Sequence, residues 1–183
     1  MKTVYFDIDT QLDFMVPSGA LYVSGAEQII GEVVRLNREA EAAGSLVIST
    51  MDAHSENDPE FKLWPHHCVA GALGQRKVSA TILGGAVRVP NSPELADWRG
   101  ATQLLLEKQT VDCFTNPNLA VILRELNAVR YIVYGVVTEI CVRNAVMGLL
   151  PFGKPIQVVQ SAIRHLDEEK AAAFLSGVSV ITK

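Results

Sequence analysis

Short apolar runs alternate along the chain with segments of helical period, and no linker, repeat or low-complexity tract interrupts them. Val4 to Ile8 reads as a strand that runs into Asp9-Thr10-Gln11-Leu12-Asp13-Phe14. After a loop rich in Gly and Pro, Ser24-Gly25-Ala26-Glu27 has the pattern of a capping box, in which serine and glutamate satisfy each other's backbone donors. The helix it would open carries Ile29, Ile30, Val33 and Val34 on one face and stops at Gly44, placed as a C-terminal capping glycine. Leu46 to Ile48 gives a second strand, followed by a long polar stretch from Met51 to Gly74. The run Gln103 to Glu107 leads into Lys108. Asn116-Pro117 supplies an N-cap and a first-turn proline, and Leu119, Ile122, Leu123 and Leu126 then share one helical face.

The strongest run, Tyr131 to Val137, is apolar on both faces, as a strand covered on both sides must be. Thr138 is expected to cap a helix with Val142, Ala145, Val146 and Leu149 inward, ending before Pro151 and Gly153. Ile156 to Val159 reads as a strand, Asp167 to Ser176 as a helix with acids in its first turn, and Val178 to Ile181 as a last strand. Strands of buried type alternating with helices predict an α/β fold around a mainly parallel sheet.

Composition narrows the class. With 183 residues, against a usual domain of about 150, the expectation is a single domain spanning 1–183. Sixteen basic and 20 acidic residues give a net charge of −4, without the basic stripe of a nucleic-acid binder. Apolar residues at 49% suffice for a core, and no apolar run approaches the roughly 18 residues that span a bilayer. The early acid Asp7 does not suit a signal peptide, and Cys68, Cys113 and Cys141 are too few for a disulfide framework. A reducing, cytoplasmic setting is expected, with neither a membrane nor nucleic acid as partner.

The unusual polar residues fall where strands end. Asp9 follows the first strand, Asp52 and His54 the second, Lys108 a third, and Cys141 opens the helix after the central strand. In open α/β sheets ligands bind beyond the carboxyl ends of the strands, so these segments deliver an acid, a metal-type cluster, a base and a thiol to one rim. A helix-start cysteine would have its thiolate favoured by the dipole. Taken alone, a cysteine beside Ile140 and Val142 is more often a small core residue, Asp9 a turn acid and Lys108 a solvated lysine. Together they are the parts of an activated thiol nucleophile: the thiol, a base for its proton, and a cation. Cys68 and Cys113 lack a helix-start setting and read as structural.

Asp52-Ala53-His54, with His67 thirteen residues later in Trp64-Pro65-His66-His67-Cys68, forms an O/N/N set suited to a divalent metal with open positions. Histidines in a polar loop are equally often surface residues, and only one of His66 and His67 need face inward. Glu60 is a fourth ligand on this reading or a solvated acid.

These segments resemble the isochorismatase-like cysteine hydrolases, and within them the nicotinamidases, over nearly the whole length. Asp9 to Phe14 is similar to the family's D-x-Q-x-D-F, and Pro17-Ser18-Gly19-Ala20-Leu21 to its G-G-A-L loop. Asp52 to His54 and Trp64 to Val69 resemble D-x-H and W-P-x-H-C, and Gly135 to Val142 the elbow G-V-x-T-[DE]-x-C-V. The resemblance implies an α/β/α fold of three layers with about six mainly parallel strands. It implies a catalytic triad of Asp9, Lys108 and Cys141, and a cis peptide at Val136-Val137. The oxyanion would be held by the N–H groups of Val137 and Cys141. It also implies a divalent metal, zinc before manganese or iron, on Asp52, His54 and His67, with Glu60 as an added ligand. Phe14, Leu21 and Trp64 would wall the ring of a small amide, nicotinamide first, hydrolysed through a Cys141 thioester.

Two departures bear on the amide. The segment between His54 and His67 is shorter than in many nicotinamidases, and Ser161 stands where relatives often carry Asp. Related isochorismatases cleave a vinyl ether and typically lack the elbow cysteine. Carbamoyl-amide hydrolases keep the cysteine without depending on the metal set. Another small amide, or a non-catalytic metal-binding protein on the same fold, is the alternative; a thiol redox protein would need a resolving Cys-x-x-Cys partner. A homo-oligomer is left open.

Overall fold

The computed structural model describes residues 3–95 and 97–181. In chain order the regular elements are β1 (Thr3–Ile8), α1 (Leu12–Met15), α2 (Ile30–Ala42), β2 (Leu46–Asp52), β3 (Ala86–Val89), β4 (Gln103–Lys108), α3 (Leu119–Leu126), β5 (Arg130–Val136), α4 (Arg143–Leu149), β6 (Ile156–Arg164), α5 (Glu168–Leu175) and β7 (Val180–Ile181). All strand pairings are parallel, in the order β3-β4-β2-β1-β5-β6-β7. The sheet thus has seven strands, one more than the expected six. The additional strand is the edge strand β3, whose four residues between Gly85 and Pro90 are too short for a periodic signal.

Alternation along β1 divides the core. Val4, Phe6 and Ile8 pack on the face covered by α3 and α4, with Phe174 and Leu175 of α5 against the same cluster. Tyr5 points to the opposite face, beneath Ile29, Val33, Leu36 and Ala40 of the α2 segment. Burial on both faces explains why consecutive apolar residues fill Val4 to Phe6 of β1, Leu46 to Ile48 of β2 and Tyr131 to Tyr134 of β5.

Several expected boundaries move. The capping box does not form: Gly25, at φ +75°, starts a 3-10 turn Ala26–Ile29, and α2 follows without a side-chain cap. Asn116 acts earlier than expected, its Oδ1 accepting from Asn118 N at 2.9 Å, and α3 begins at Leu119. Strand β2 continues through Ser49-Thr50-Met51-Asp52, and Ser49, Thr50 and Asp52 are carried inside because each finds a buried partner. Strand β6 runs on to Arg164 through an irregularity opposite Val133 and Gly135, which hides its period. The helix expected from Asp167 begins at Glu168, with Asp167 as its cap, the carboxylate accepting from Lys170 N at 3.0 Å.

Chain order places the site. From β1 the chain passes to β2 on one side of the sheet and returns to β5 on the other, so β1 lies at the switch point where α/β sheets open a crevice. Gly135 permits the close approach of β5 to β1 there: its φ is +115°, and a Cβ would lie 2.1 Å from Ile8 O.

Candidate active site

Four adjacent strands, β4, β2, β1 and β5, end at one rim. Asp52 and Lys108 are register partners at the ends of β2 and β4. Asp9 follows β1 in the left-handed region, at φ +49°, a conformation aspartate tolerates better than most residues. Thr50 fixes it twice, accepting from Asp9 N at 3.2 Å and donating to Asp9 Oδ1 at 2.6 Å. Lys108 Nζ lies 2.9 Å from Asp9 Oδ2 and 3.8 Å from Cys141 Sγ, and it also pairs with Asp52 Oδ1. The structure therefore brings Asp9, Lys108 and Cys141 into one buried cluster.

Cys141 does not sit in an α-helical first turn. The peptide Val136-Val137 is cis, and the next residues form a wide π turn, Thr138–Val142, before α4. Thr138 does not cap it; its hydroxyl donates to Arg164 O at 2.8 Å. Nor is the thiolate favoured at rest. Burial pushes the Cys141 thiol well above its ordinary range, against the pull of Lys108. Burial also raises the Asp9 carboxyl. For Lys108 burial acts the other way, but Asp52 and Asp9 outweigh it and hold the ammonium well above its usual value.

Beside this cluster Asp52, His54 and His67 offer ligand atoms within 4.8 Å of one another. Both imidazole Nε2 atoms lie 3.8 Å from Asp52 Oδ2, the oxygen not used by Lys108. His54 Nε2 is buried without a hydrogen-bond partner among the described residues. His67 Nδ1 lies 2.7 Å from Pro65 O, so as a donor there it keeps Nε2 free. Two imidazole nitrogens and a carboxylate oxygen turned toward one point fit a divalent cation. His67 is the inward histidine, edge-on to Phe14, whereas exposed His66 stacks on Phe61. Glu60 is not in the three-residue group; it lines the neighbouring cleft, its carboxyl raised by burial and by Asp52.

The sequence reading missed the residues that hold this group. Gln11 spans two loops, Nε2 donating to Asp52 O and Gln75 O while Oε1 accepts from Asp52 N. Asp13 accepts from Ala20 N and Cys68 N, tying the Leu21 loop to the histidine loop. Asp58 sets its carboxylate 3.1 Å from His54 Nδ1 while capping the turn Pro59–Lys62. Asp58-Pro59, a cap followed by a first-turn proline, was the signal available for that turn.

A small cleft opens onto Asp52, His67 and Cys141. Phe14, Leu21 and Trp64 line it, joined by Val111, Val137, Ile140 and Leu166, of which only Val137 was singled out in the sequence, for its backbone. Ser161 is not in the cleft; it is exposed and donates to Glu32 at 3.2 Å. Cys68 and Cys113 are buried apart from the cleft lining.

Residues 3–182 match the isochorismatase domain family. The chain belongs to the isochorismatase family. Among solved structures it is similar to the pyrazinamidase of Pyrococcus horikoshii in complex with zinc, at 25% identity and a TM-score of 0.82 over 100% of both chains. The pyrazinamidase/nicotinamidase of Streptococcus mutans matches at 25% identity and a TM-score of 0.82, covering 98% of this chain and 100% of that one. The N-carbamoylsarcosine amidase of Thermoplasma acidophilum shares the fold at 23% identity and a TM-score of 0.81, covering 100% and 96%. Against the curated proteins the sequence finds no match. This isochorismatase-family chain has the family's hydrolase fold, and no helix among its described residues is long and apolar enough to cross a membrane.

Proposed function

We propose that this chain is a cysteine-dependent amidohydrolase that converts nicotinamide and water to nicotinate and ammonia. The observation that carries the reading is the joint placement of a buried Asp9-Lys108-Cys141 cluster and an Asp52-His54-His67 group on one small apolar cleft. The resting thiol is protonated, so Asp9 must take its proton as the sulfur attacks the amide carbon. Lys108 holds Asp9 in place and balances the charge that passes between carboxylate and sulfur. The N–H groups of Val137 and Cys141 receive the developing oxyanion, a contribution that is usually large in acyl transfer. Asp9 then gives its proton to the departing amine, which leaves as ammonia. Water, deprotonated by Asp9, cleaves the thioester and restores the thiol. Asp52, His54 and His67 would hold a divalent cation, zinc by the chemistry of the donor set, with manganese or iron as alternatives. When bound it would act as a Lewis acid toward a ring nitrogen and so help orient the amide. Phe14, Leu21 and Trp64 would flank the ring.

The test is ammonia release from nicotinamide by the purified protein beside Cys141→Ala. Release by the first and not the second supports the reading. Release by neither overturns it in favour of another amide. The similarity to a carbamoylsarcosine amidase makes a carbamoyl amide the second substrate to try.

A further inference from the structure

The connection from β6 to α5 borders the cleft, and the segment carrying Cys141 holds it in place. Thr138 donates to Arg164 O at 2.8 Å. Glu139 Oε1 accepts from both Leu166 N at 3.0 Å and Asp167 N at 2.8 Å. Asp167 in turn caps α5. Two consecutive residues of the nucleophile's turn therefore fix the end of β6 and two positions of the loop after it, more than twenty residues on.

Leu166 is the one side chain of this connection that lines the cleft, with Val137, Ile140, Cys141 and Trp64. It is 42% exposed, so it stands at the outer edge and not in the core. Glu139 is buried, and its Oε2 has no hydrogen-bond partner among the described residues. A carboxylate withdrawn from water with one oxygen unpaired is unfavourable. What its other oxygen achieves is a rigid mount for Leu166, at a fixed offset from the sulfur two residues away.

Resting on the amidohydrolase reading, we propose that Leu166 is the specificity-determining outer wall, limiting the bulk of the amide that reaches Cys141, and that Glu139 is the positioning residue that sets it. The substrate class is then compact planar amides without substituents on the ring edge facing Leu166. In an apolar pocket a single methyl-sized difference changes selection by about 10–200-fold.

The first measurement does not depend on which amide is natural. Cys141 is alkylated with iodoacetamide or with the bulkier iodoacetanilide, and peptide mass spectrometry separates it from Cys68 and Cys113. Leu166→Ala should raise the iodoacetanilide rate relative to iodoacetamide by about tenfold. Glu139→Ala should move the ratio in the same direction, and Glu139→Gln, which keeps an oxygen for both N–H groups, should restore it. If Glu139→Ala does not fold, Glu139→Asp, one methylene short of both donors, gives the reading. An unchanged ratio in Leu166→Ala overturns the wall. Wild-type ratios in the folded Ala or Asp variant, or a Gln variant no better than Ala or Asp, overturn the positioning role.

The second measurement compares kcat/KM for nicotinamide and 5-methylnicotinamide in wild type and Leu166→Ala. If neither amide is hydrolysed while the alkylation ratio moves, the wall stands and the nicotinamide reading fails. If nicotinamide is hydrolysed and neither ratio moves, the nicotinamide reading stands and the wall fails.

Discussion

Asp52 and Lys108 face each other in register at the ends of β2 and β4, and their side chains meet as a buried ion pair. The same ammonium lies 2.9 Å from Asp9, so one cation serves two carboxylates and joins the thiol cluster to the histidine group.

That arrangement makes Lys108 matter for stability as well as for the proposed chemistry. Lys108→Met would leave Asp9 and Asp52 buried without a counter-charge, a change that typically costs about 3–5 kcal/mol. A lower urea midpoint with an unchanged slope, and loss of ammonia release, are expected. Lys108→Arg keeps the charge but replaces a compact ammonium with a planar fork. It should fold, with kcat lowered about a hundredfold by misplacement of Asp9.

The rate should fall on the acid side above the pH at which an ordinary carboxylate titrates. Burial raises Asp9, and the proposed mechanism uses its deprotonated form, so activity is lost as pH drops through that raised pKa. Lys108 is held well above its usual value and adds no loss near neutrality. A kcat/KM profile from pH 4 to 9 (about five units, within which Asp and Glu groups with raised pKa values titrate) checks this. An acid limb centred at the ordinary aspartate value would rule it out.

Metal removal should be visible in stability. A cation binding only the folded chain at about a hundred times its Kd adds roughly 2.7 kcal/mol. Dialysis against a chelator should lower Tm, and zinc should restore it. His67→Ala, which removes one of the three donors, should abolish the zinc-dependent shift, read by scanning fluorimetry.

Gly135→Ala should destabilise the sheet at its switch point. A Cβ there would lie 2.1 Å from Ile8 O at a φ of +115°. The expected loss is roughly 1–3 kcal/mol, as for overpacked sites, seen as a lower urea midpoint.

How much could be read in advance differs between residues. Asp9, Lys108 and Cys141 each follow or end an apolar run, and in a parallel sheet such ends share one rim, so their meeting was legible. The supporting residues were not. Gln11 reaches Asp52 across 41 positions, and Glu139 reaches Leu166 across 27, distances over which no periodicity carries information. Polar residues inside β2 read as loop because their partners are distant in sequence, Thr50 with Asp9 just past β1 and Ser49 with Asp7 in β1.

The sequence by itself determined the α/β class, the strand-end positions of the acid, base and thiol, and the residue types able to hold a cation. Local period and capping chemistry are properties of neighbouring residues, so they survive without the fold. The tertiary structure alone decided that Asp52 divides its two oxygens between Lys108 and the histidines. It alone decided that burial raises the thiol and its base, that His67 and not His66 turns inward, and that Leu166 lines the cleft. Each depends on which distant groups share a desolvated space, and only the folded chain sets that.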